Sequence, residues 1–274
     1  MLFHEQAQAV EGGPPREAAA SCRPKLSILS LYPELLNVYG DRGNVLSLVQ
    51  RARWHGIEPA VTEAGLGTDV DAGQFDLVVL GGGQDRAQRA IAEDLRRYKG
   101  PSLAAAIEEG LPVLAVCAAY QLMGHFYRTA DGYEIPGLGI FAVWTEAGKG
   151  RLIGDIAVQA ELPGRRLTLV GFENHGGRTH LGPGARPLGR VLRGHGNNGT
   201  DRTEGVVYRS AIGTYLHGSL LPKNPELADW LLQAALDRRY GGSVRLGRLD
   251  DRIEARARSV LLRRLLGPPF LRLS

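Results

Sequence analysis

A single cysteine lies where an apolar segment turns into a helix, and a thiol in that place is suited to nucleophilic chemistry. Cys117 stands inside LPVLAVCAAYQLMG, residues 111–124. A sharp strand-to-helix turn lifts such a side chain to the carboxyl end of a sheet, beside the unpaired N–H groups that begin the helix. Those groups favour a thiolate, and the N–H of Ala118 is placed to stabilise a developing oxyanion. A buried structural cysteine is the alternative that the pattern leaves open.

Three glycines follow the preceding apolar strand, at the same edge of the predicted sheet. Gly81, Gly82 and Gly83 come directly after FDLVVL, residues 75–80. Glycine lets a backbone N–H face a ligand with no side chain in the way, so this loop is a candidate source of the second oxyanion donor. A tight turn or a phosphate-binding nest is the alternative. The string G-x-x-x-x-G-K-[ST] does not occur, and no nucleotide site is predicted in this chain.

A cysteine nucleophile needs a base, and the sequence offers seven histidines. His217, within GTYLHGSLLPKN, ends an apolar strand at the sheet edge predicted for Cys117, which makes it the best candidate. A solvated or structural histidine is the alternative at that position. His125 follows the cysteine on the same predicted helix, but its angular position directs it away from the thiol.

The elements that must position these residues alternate between strand and helix in the first half of the chain. This alternation predicts an α/β fold with a doubly wound, mainly parallel central sheet flanked by helices. Apolar or extended segments predict strands at 25–32, 57–62, 75–80 and 112–116. Helices are predicted over 42–55 with Asp41 as N-cap, 86–98, 102–109 beginning after Pro101, and 118–127.

The second half is rich in glycine and predicts short strands that add to the same sheet in mixed or antiparallel fashion. These strands are expected at 151–159, 167–172, 205–208 and 212–216. A helix over 225–239 follows, capped by Asn224, and 252–266 is a further amphipathic candidate. We therefore divide the chain into a mobile leader over 1–24, a main domain over 25–240 and a basic, helical C-terminal extension over 241–274.

The basic character of the sequence is concentrated in this extension. The formal net charge is +4, but residues 238–274 alone hold ten arginines against three acidic residues, so the charge does not predict nucleic-acid binding by the main domain. The helix over 252–266 either rests on anionic lipid or packs on protein. No apolar stretch is long enough to span a bilayer and no signal peptide is evident, so a cytoplasmic protein is expected. With two cysteines, neither a disulfide framework nor a cysteine metal site is predicted.

Several of these strings together resemble one known family. The strings VCAAYQ, GFENHGGRT (residues 171–179) and GTYLHG are similar to those of class I glutamine amidotransferases of the cobyric-acid-synthase type, which have a flavodoxin-like fold. The resemblance covers about residues 25–240. Within the family it is strongest to the glutaminase subunits of lipid II isoglutaminyl synthase.

The resemblance implies hydrolysis of L-glutamine through a thioester on Cys117, with His217 as the proton-transfer group. It also implies that Gly82 and Gly83, with Ala118, stabilise the oxyanion, that Arg151 binds the α-carboxylate of glutamine, and that Gln121 lines the cleft or supports the turn. Asn174 and His175 match the family string, but the resemblance assigns neither of them a catalytic step.

The resemblance further implies a partner, because this chain has no site to consume the ammonia. That partner is a MurT-like ligase in a heterodimer, which carries ATP and Mg²⁺ and amidates D-glutamate of the lipid II stem peptide to D-isoglutamine. No cofactor or metal is expected in this chain. Lipid II would be reached through the partner, at the inner face of the membrane. The alternatives are a glutaminase for corrinoid amidation, a binding module of the same fold without catalysis, and a cysteine peptidase.

Two positions depart from the family pattern. Ala115 and Ala119 stand where the broader amidotransferase turn has glycine, so the turn must accommodate two methyl groups. Ser219 stands two residues after the histidine, where many relatives carry the glutamate that orients it. We therefore hypothesise that a carboxylate from the partner completes the relay and that complex formation raises glutamine hydrolysis.

Overall fold

The computed structural model describes residues 23–267. Almost all of the predicted leader, including Cys22, and the last seven residues of the predicted extension lie outside the described part. Within it the strands are β1 Lys25–Leu31, β2 Glu58–Ala64, β3 Leu77–Leu80, β4 Val113–Val116, β5 Phe126–Arg128, β6 Glu134–Pro136, β7 Val143–Leu162, β8 Arg165–Leu181, β9 Gly189–Arg193, β10 Thr203–Glu204, β11 Val206–Tyr208 and β12 Ala211–Thr214. The α-helices are α1 Arg42–Trp54, α2 Asp85–Asp94, α3 Gly100–Glu108, α4 Ala118–Met123, α5 Leu220–Lys223, α6 Pro225–Tyr240 and α7 Arg252–Leu266.

The predicted α/β fold with a mainly parallel central sheet is confirmed. Six strands form this sheet in the order β11-β12-β4-β3-β1-β2, and only the β11–β12 pair is antiparallel. Every residue of β3 and β4 is buried, as expected for parallel strands that are covered on both faces. The carboxyl ends of β3, β4 and β12 lie side by side, which brings the segments after Leu80, Val116 and Thr214 to one edge.

The expectation that all strands of the second half join the central sheet is wrong. Strands β11 and β12 do so, but β5 to β10 form a second sheet in the order β10-β9-β7-β5-β6, with β8 paired to β7. The long antiparallel hairpin of β7 and β8 dominates this sheet. Its residues alternate between buried and more exposed positions, the pattern of a sheet with one face on the core and the other toward solvent.

Two helix boundaries differ from the sequence expectation. Helix α4 ends at Met123, before His125 and Phe126, because the chain is extended at Gly124, where an added Cβ would lie 2.7 Å from the carbonyl oxygen of Val143. Pro101 does not begin a separate helix either. Helix α2 continues through a π turn at Leu95–Lys99 directly into α3. The wider turn accommodates a proline that has no N–H to donate.

Both predicted helix caps are wrong, since neither side chain caps its helix. The N–H of Arg42 at the start of α1 donates to Asn37 Oδ1 at 2.9 Å, and the carboxylate of Asp41 bonds elsewhere. The amide of Asn224 instead joins α5 to β8: its Oδ1 accepts from the N–H of Val170 at 2.9 Å, and its Nδ2 donates to the carbonyl of Val170 at 2.8 Å.

The C-terminal helix α7 lies against the body of the protein. It contacts α5 and the strands β7, β8 and β9 of the second sheet. None of its residues is fully buried. No helix within residues 23–267 combines the length and the apolar character needed to cross a membrane.

Candidate active site

Cys117 occupies a strained turn between β4 and α4. Its φ of 51° and ψ of −101° place a non-glycine residue outside the ordinary allowed regions. Strain of this kind costs about 1–3 kcal/mol and persists where a functional geometry requires it. Ala115 and Ala119 are fully buried beside it, so the turn forms with both methyl groups in place. The side chain of Cys117 is nearly buried but reaches the wall of a cleft.

This cleft has a volume of about 420 Å³ and lies at the carboxyl edge of the central sheet. Among the residues that line it are five of the predicted site residues, namely Gly83, Cys117, Gln121, Arg151 and His217. Two predicted residues are not among them: Gly82 directly precedes the lining residue Gly83, and Ala118 directly follows Cys117. The structure thus brings together residues that are separated by up to 134 positions in the sequence.

The imidazole of His217 is fully buried next to the thiol of Cys117. A Cβ placed on Gly82 would lie 2.5 Å from His217 Cε1 and 3.3 Å from Cys117 Cβ, so both side chains flank this glycine. Only glycine fits at this point. The backbone of His217 is fixed to β8, because its N–H donates to the carbonyl of Phe172 at 2.7 Å. The ring of Tyr39 meets the imidazole edge-on, with centroids 5.2 Å apart.

A carboxylate from within this chain completes the group. Asp41 Oδ2 lies 3.4 Å from His217 Nδ1 and accepts the N–H of Gly82 at 2.6 Å. The hypothesis that the chain lacks such an acid rested on the position of Ser219, whose hydroxyl instead donates to the carbonyl of Gly40 at 2.8 Å. That premise is wrong, because the acid comes from the loop before α1.

The protonated imidazole is favoured in these surroundings. Burial acts to lower the pKa of His217, but the charges of Cys117 and Asp41 outweigh it and raise this pKa to about 10. A protonated imidazole beside the sulfur of Cys117 is therefore the favoured state at neutral pH. Such a pair holds both a nucleophile and a proton for a leaving group.

The backbone N–H groups near the thiol differ in their availability. The N–H of Gly82 is bonded to Asp41 in this structure and does not face the cleft. Gly83 lines the cleft, and Ala118 is the first residue of α4, where N–H groups have no partner within the helix. The geometry therefore favours Gly83 and Ala118 over Gly82 as donors to an oxyanion.

Arg151 reaches the cleft from the β7–β8 hairpin. The pairing of the two strands is irregular between Ala147 and Leu152, and Arg151 lies in this bulge. Its Nε donates to Asn174 Oδ1 at 2.6 Å and its Nη2 to the carbonyl of Asn174 at 2.7 Å. The amide of Asn174 donates in turn to the hydroxyl of Tyr39. Sequence reasoning gave Asn174 no role, although it lies in the recognised string; the structure shows that it orients Arg151.

Gln121 both lines the cleft and supports the core beneath it. Its Oε1 accepts from Gln88 Nε2 at 2.6 Å, and its Nε2 donates to the hydroxyl of Tyr215 at 2.9 Å. The ring of Tyr215 stacks on His175 at a centroid distance of 3.6 Å. Burial lowers the pKa of His175, which favours a neutral ring there. Within residues 23–267, no cluster of three or more His, Cys, Asp or Glu side chains is arranged to hold a metal ion.

Comparison with known proteins places this site in a family. The CobB/CobQ-like glutamine amidotransferase domain matches residues 27–225. The GatD subunit of the glutamine-hydrolysing lipid II isoglutaminyl synthase from Staphylococcus aureus (strain N315) is 41% identical over 240 residues, which is 88% of this chain and 96% of that protein. The corresponding subunit from Streptococcus pneumoniae (strain ATCC BAA-255 / R6) is 40% identical over 228 residues, covering 83% of this chain and 86% of the relative.

More distant similarities extend to a larger enzyme and to a solved structure. The cobyric acid synthase of Pelotomaculum thermopropionicum is 30% identical over 293 residues, which is 94% of this chain but 52% of that enzyme. The structure of PurLQS from Thermotoga maritima aligns with a TM-score of 0.49 and 16% identity, over 79% of this chain and 99% of the aligned chain.

Proposed function

Since the chain belongs to the CobB/CobQ-like glutamine amidotransferase family, we propose that it is the glutamine-hydrolysing subunit of a lipid II isoglutaminyl synthase. It releases ammonia from L-glutamine for peptidoglycan synthesis. The observation that carries the proposal is the strained Cys117 at the wall of a cleft, flanked by the buried His217 and Asp41.

The proposed reaction begins when the thiolate of Cys117 attacks the side-chain amide carbon of glutamine. A carbon–sulfur bond forms and the carbonyl oxygen becomes an oxyanion. As the carbon–nitrogen bond breaks, the imidazolium of His217 gives its proton to the leaving nitrogen, and ammonia departs from a thioester. The neutral imidazole then takes a proton from water, the resulting hydroxide attacks the thioester, and glutamate and the thiolate are released.

Each remaining residue has a task that its surroundings suit. The N–H groups of Gly83 and Ala118 stabilise the oxyanion, and the loss of one such donor costs roughly 10²–10³ in rate in other enzymes. Asp41 orients the imidazole and stabilises its charge. Arg151 binds the α-carboxylate of glutamine, because a guanidinium fixed by Asn174 presents two N–H groups in the geometry of a carboxylate.

The ammonia requires an acceptor on another protein. We assign that task to a MurT-like ligase, which binds ATP and Mg²⁺ and activates D-glutamate of the lipid II stem peptide, so that D-isoglutamine forms. The two proteins would form a heterodimer in the cytoplasm, where these substrates are present. The similarity to the S. aureus and S. pneumoniae relatives supports this assignment, because both of those proteins are subunits of lipid II isoglutaminyl synthase.

The decisive experiment measures two products. The protein is incubated with L-glutamine, with or without a MurT-like ligase, ATP, Mg²⁺ and lipid II, and glutamate release and D-isoglutamine formation are quantified. We expect both products with the ligase, and neither above background when Cys117→Ala replaces the native subunit. Circular dichroism checks that this variant is folded, and ammonium chloride should restore amidation by the ligase in its presence.

The alternatives give different results. A binding module without catalysis would release no glutamate under any condition. A cysteine peptidase would cleave peptides and leave glutamine intact. A glutaminase for corrinoid amidation would hydrolyse glutamine but support amidation of a corrinoid acid and not of lipid II.

A further inference from the structure

Helix α7 is fixed to the protein by its inner face. The guanidinium of Arg258 makes two hydrogen bonds of 2.5 Å to the carboxylate of Glu226, and the buried Arg51 donates to Asp251 at 2.6 Å just before the helix begins. Leu262 and Leu266 line a groove against the second sheet. These contacts fix which side of α7 faces the body and which side faces outward.

The outward face of α7 combines apolar and basic side chains. Ile253 is 83% exposed and Val260 is 54% exposed, and exposed Ala257 lies between them at helical spacing. The exposed Arg256 and Arg264 flank this stripe. Neither arginine forms a salt bridge with any residue that the structure describes. The apolar groups and the positive charges of this face have no partner among the described residues.

We propose that this outward face of α7 binds the surface of an anionic lipid bilayer. Basic side chains are attracted to anionic headgroups, and apolar side chains on the same face insert into the boundary of the acyl chains. The inference goes beyond glutamine hydrolysis, because the surface is remote from the cleft. Gln159 of β7 lines the groove beside α7, whereas Leu152 of the same strand pairs with His175 at the cleft. Gln159 and Leu152 are seven positions apart, which corresponds to about 23 Å along a strand. Membrane contact therefore leaves the cleft open.

The test is co-flotation of the full-length chain with vesicles. Vesicles of phosphatidylcholine with phosphatidylglycerol are compared with pure phosphatidylcholine, at low and high salt. The first variant carries Arg256→Gln with Arg264→Gln, and the second carries Ile253→Ser with Val260→Ser. The matched control carries Arg96→Gln with Arg97→Gln, two exposed positions before α3. Glutamate release is measured for all proteins, and we expect it to be unchanged.

We expect the native protein to bind the anionic vesicles and to be released by high salt. The arginine variant should bind about 25-fold more weakly, since each arginine near an anionic surface contributes roughly fivefold, or about 1 kcal/mol. The serine variant should also lose binding, and the control should bind like the native protein. The proposal is overturned if the native chain floats with neither type of vesicle, if it binds both types equally, or if the α7 variants bind the anionic vesicles as strongly as the control does. None of these results would affect the glutaminase assignment.

Discussion

The carboxylate of Asp41 contacts two parts of the catalytic group at once. It lies 3.4 Å from His217 Nδ1 and also accepts the N–H of Gly82, the glycine that the side chains of His217 and Cys117 flank. Asp41 therefore positions both the base and the glycine loop. In the proposed reaction, Asp41 is therefore the residue of the loop before α1 that positions His217.

We predict that Asp41→Asn lowers kcat for glutamine hydrolysis by about 10²–10⁴, because the neutral amide no longer stabilises the imidazolium or selects its orientation. Glutamate release by the variant, alone and with the ligase, measures this effect. Asp69→Asn, at an exposed position, is the matched control and should retain full activity. If Asp41→Asn were as active as the control in the assay without the ligase, Asp41 would not be the orienting carboxylate.

The pH dependence of the reaction should follow the state of His217. Its pKa is raised from 6.5 to about 10, so the proton needed by the leaving ammonia is present at neutral pH and is lost as pH rises through about 10. We expect kcat/KM for glutamine to decline on the alkaline side near pH 10. In Asp41→Asn this decline should move to lower pH, because one of the charges that hold the proton is gone. A full pH profile of both proteins checks this, and identical alkaline limbs would contradict the role of Asp41.

The same shift has a consequence for stability. A histidine whose pKa is higher in the folded protein stabilises the fold fully below pH 6.5, and this contribution is lost as pH rises through about 10. The imidazole of His217 therefore remains protonated in the folded protein throughout the neutral range.

The sequence reveals those parts of the site that follow apolar strands. Cys117 and His217 come directly after continuous apolar segments, and parallel strands end at one edge, so their proximity is predictable. Asp41 has no such signal. An aspartate directly before a helix is typical of an N-cap, and only the tertiary structure shows that its carboxylate turns to His217 instead.

At the scale of the elements, the bulge in the β7–β8 hairpin determines where Arg151 lies. Arg151 is on β7, and its orientation depends on Asn174 across the hairpin on β8. We predict that Asn174→Ala raises KM for glutamine roughly tenfold and changes kcat little, because the lost bond from Arg151 Nε to Asn174 Oδ1 orders the guanidinium before substrate binds, while the bond to the backbone carbonyl remains. Steady-state kinetics with Arg151→Lys for comparison and Gln159→Ala on the far part of β7 as control would test this. A loss confined to kcat would contradict a role in substrate binding.

The elements themselves were predictable to different degrees. Strands β3 and β4 are short and uniformly apolar, β1 is mainly apolar, and helices α1 and α6 carry clear apolar stripes, so the sequence predicts these elements to within about two residues. The sequence does not predict that the second sheet is separate from the first. Its long strands mix polar and glycine residues, and the pairing partners of these strands are determined by tertiary packing. Helix α4 ends where the backbone at Gly124 passes too close to the carbonyl of Val143 for a side chain, and no local sequence pattern predicts this close approach.

At the scale of the whole molecule, the two sheets meet through a buried acid. Glu204 belongs to β10 of the second sheet, and its Oε1 accepts from Thr214 Oγ1 of β12 at 2.6 Å and from the N–H of Tyr215 at 2.8 Å. Its Oε2 is buried and has no hydrogen-bond partner among the described residues. Burial raises the pKa of Glu204 to about 7, and the nearby Glu173 adds to this shift. The proton on this carboxyl group therefore affects the contact between the sheets.

We predict that the raised pKa of Glu204 makes the protein less stable as pH rises from about 4.5 to 7. Over that window the folded state keeps a proton that the unfolded chain releases, so the free energy of unfolding falls, by about 3 kcal/mol for this group. In Glu204→Gln the group cannot ionise, and the stability of the variant relative to the native protein should rise by up to about 3 kcal/mol between pH 4.5 and 8. Urea unfolding of both proteins at several pH values measures this difference. A difference that stays constant across the window would show that the carboxyl group at the sheet interface does not titrate there, and that the junction of the two sheets is insensitive to pH in this range.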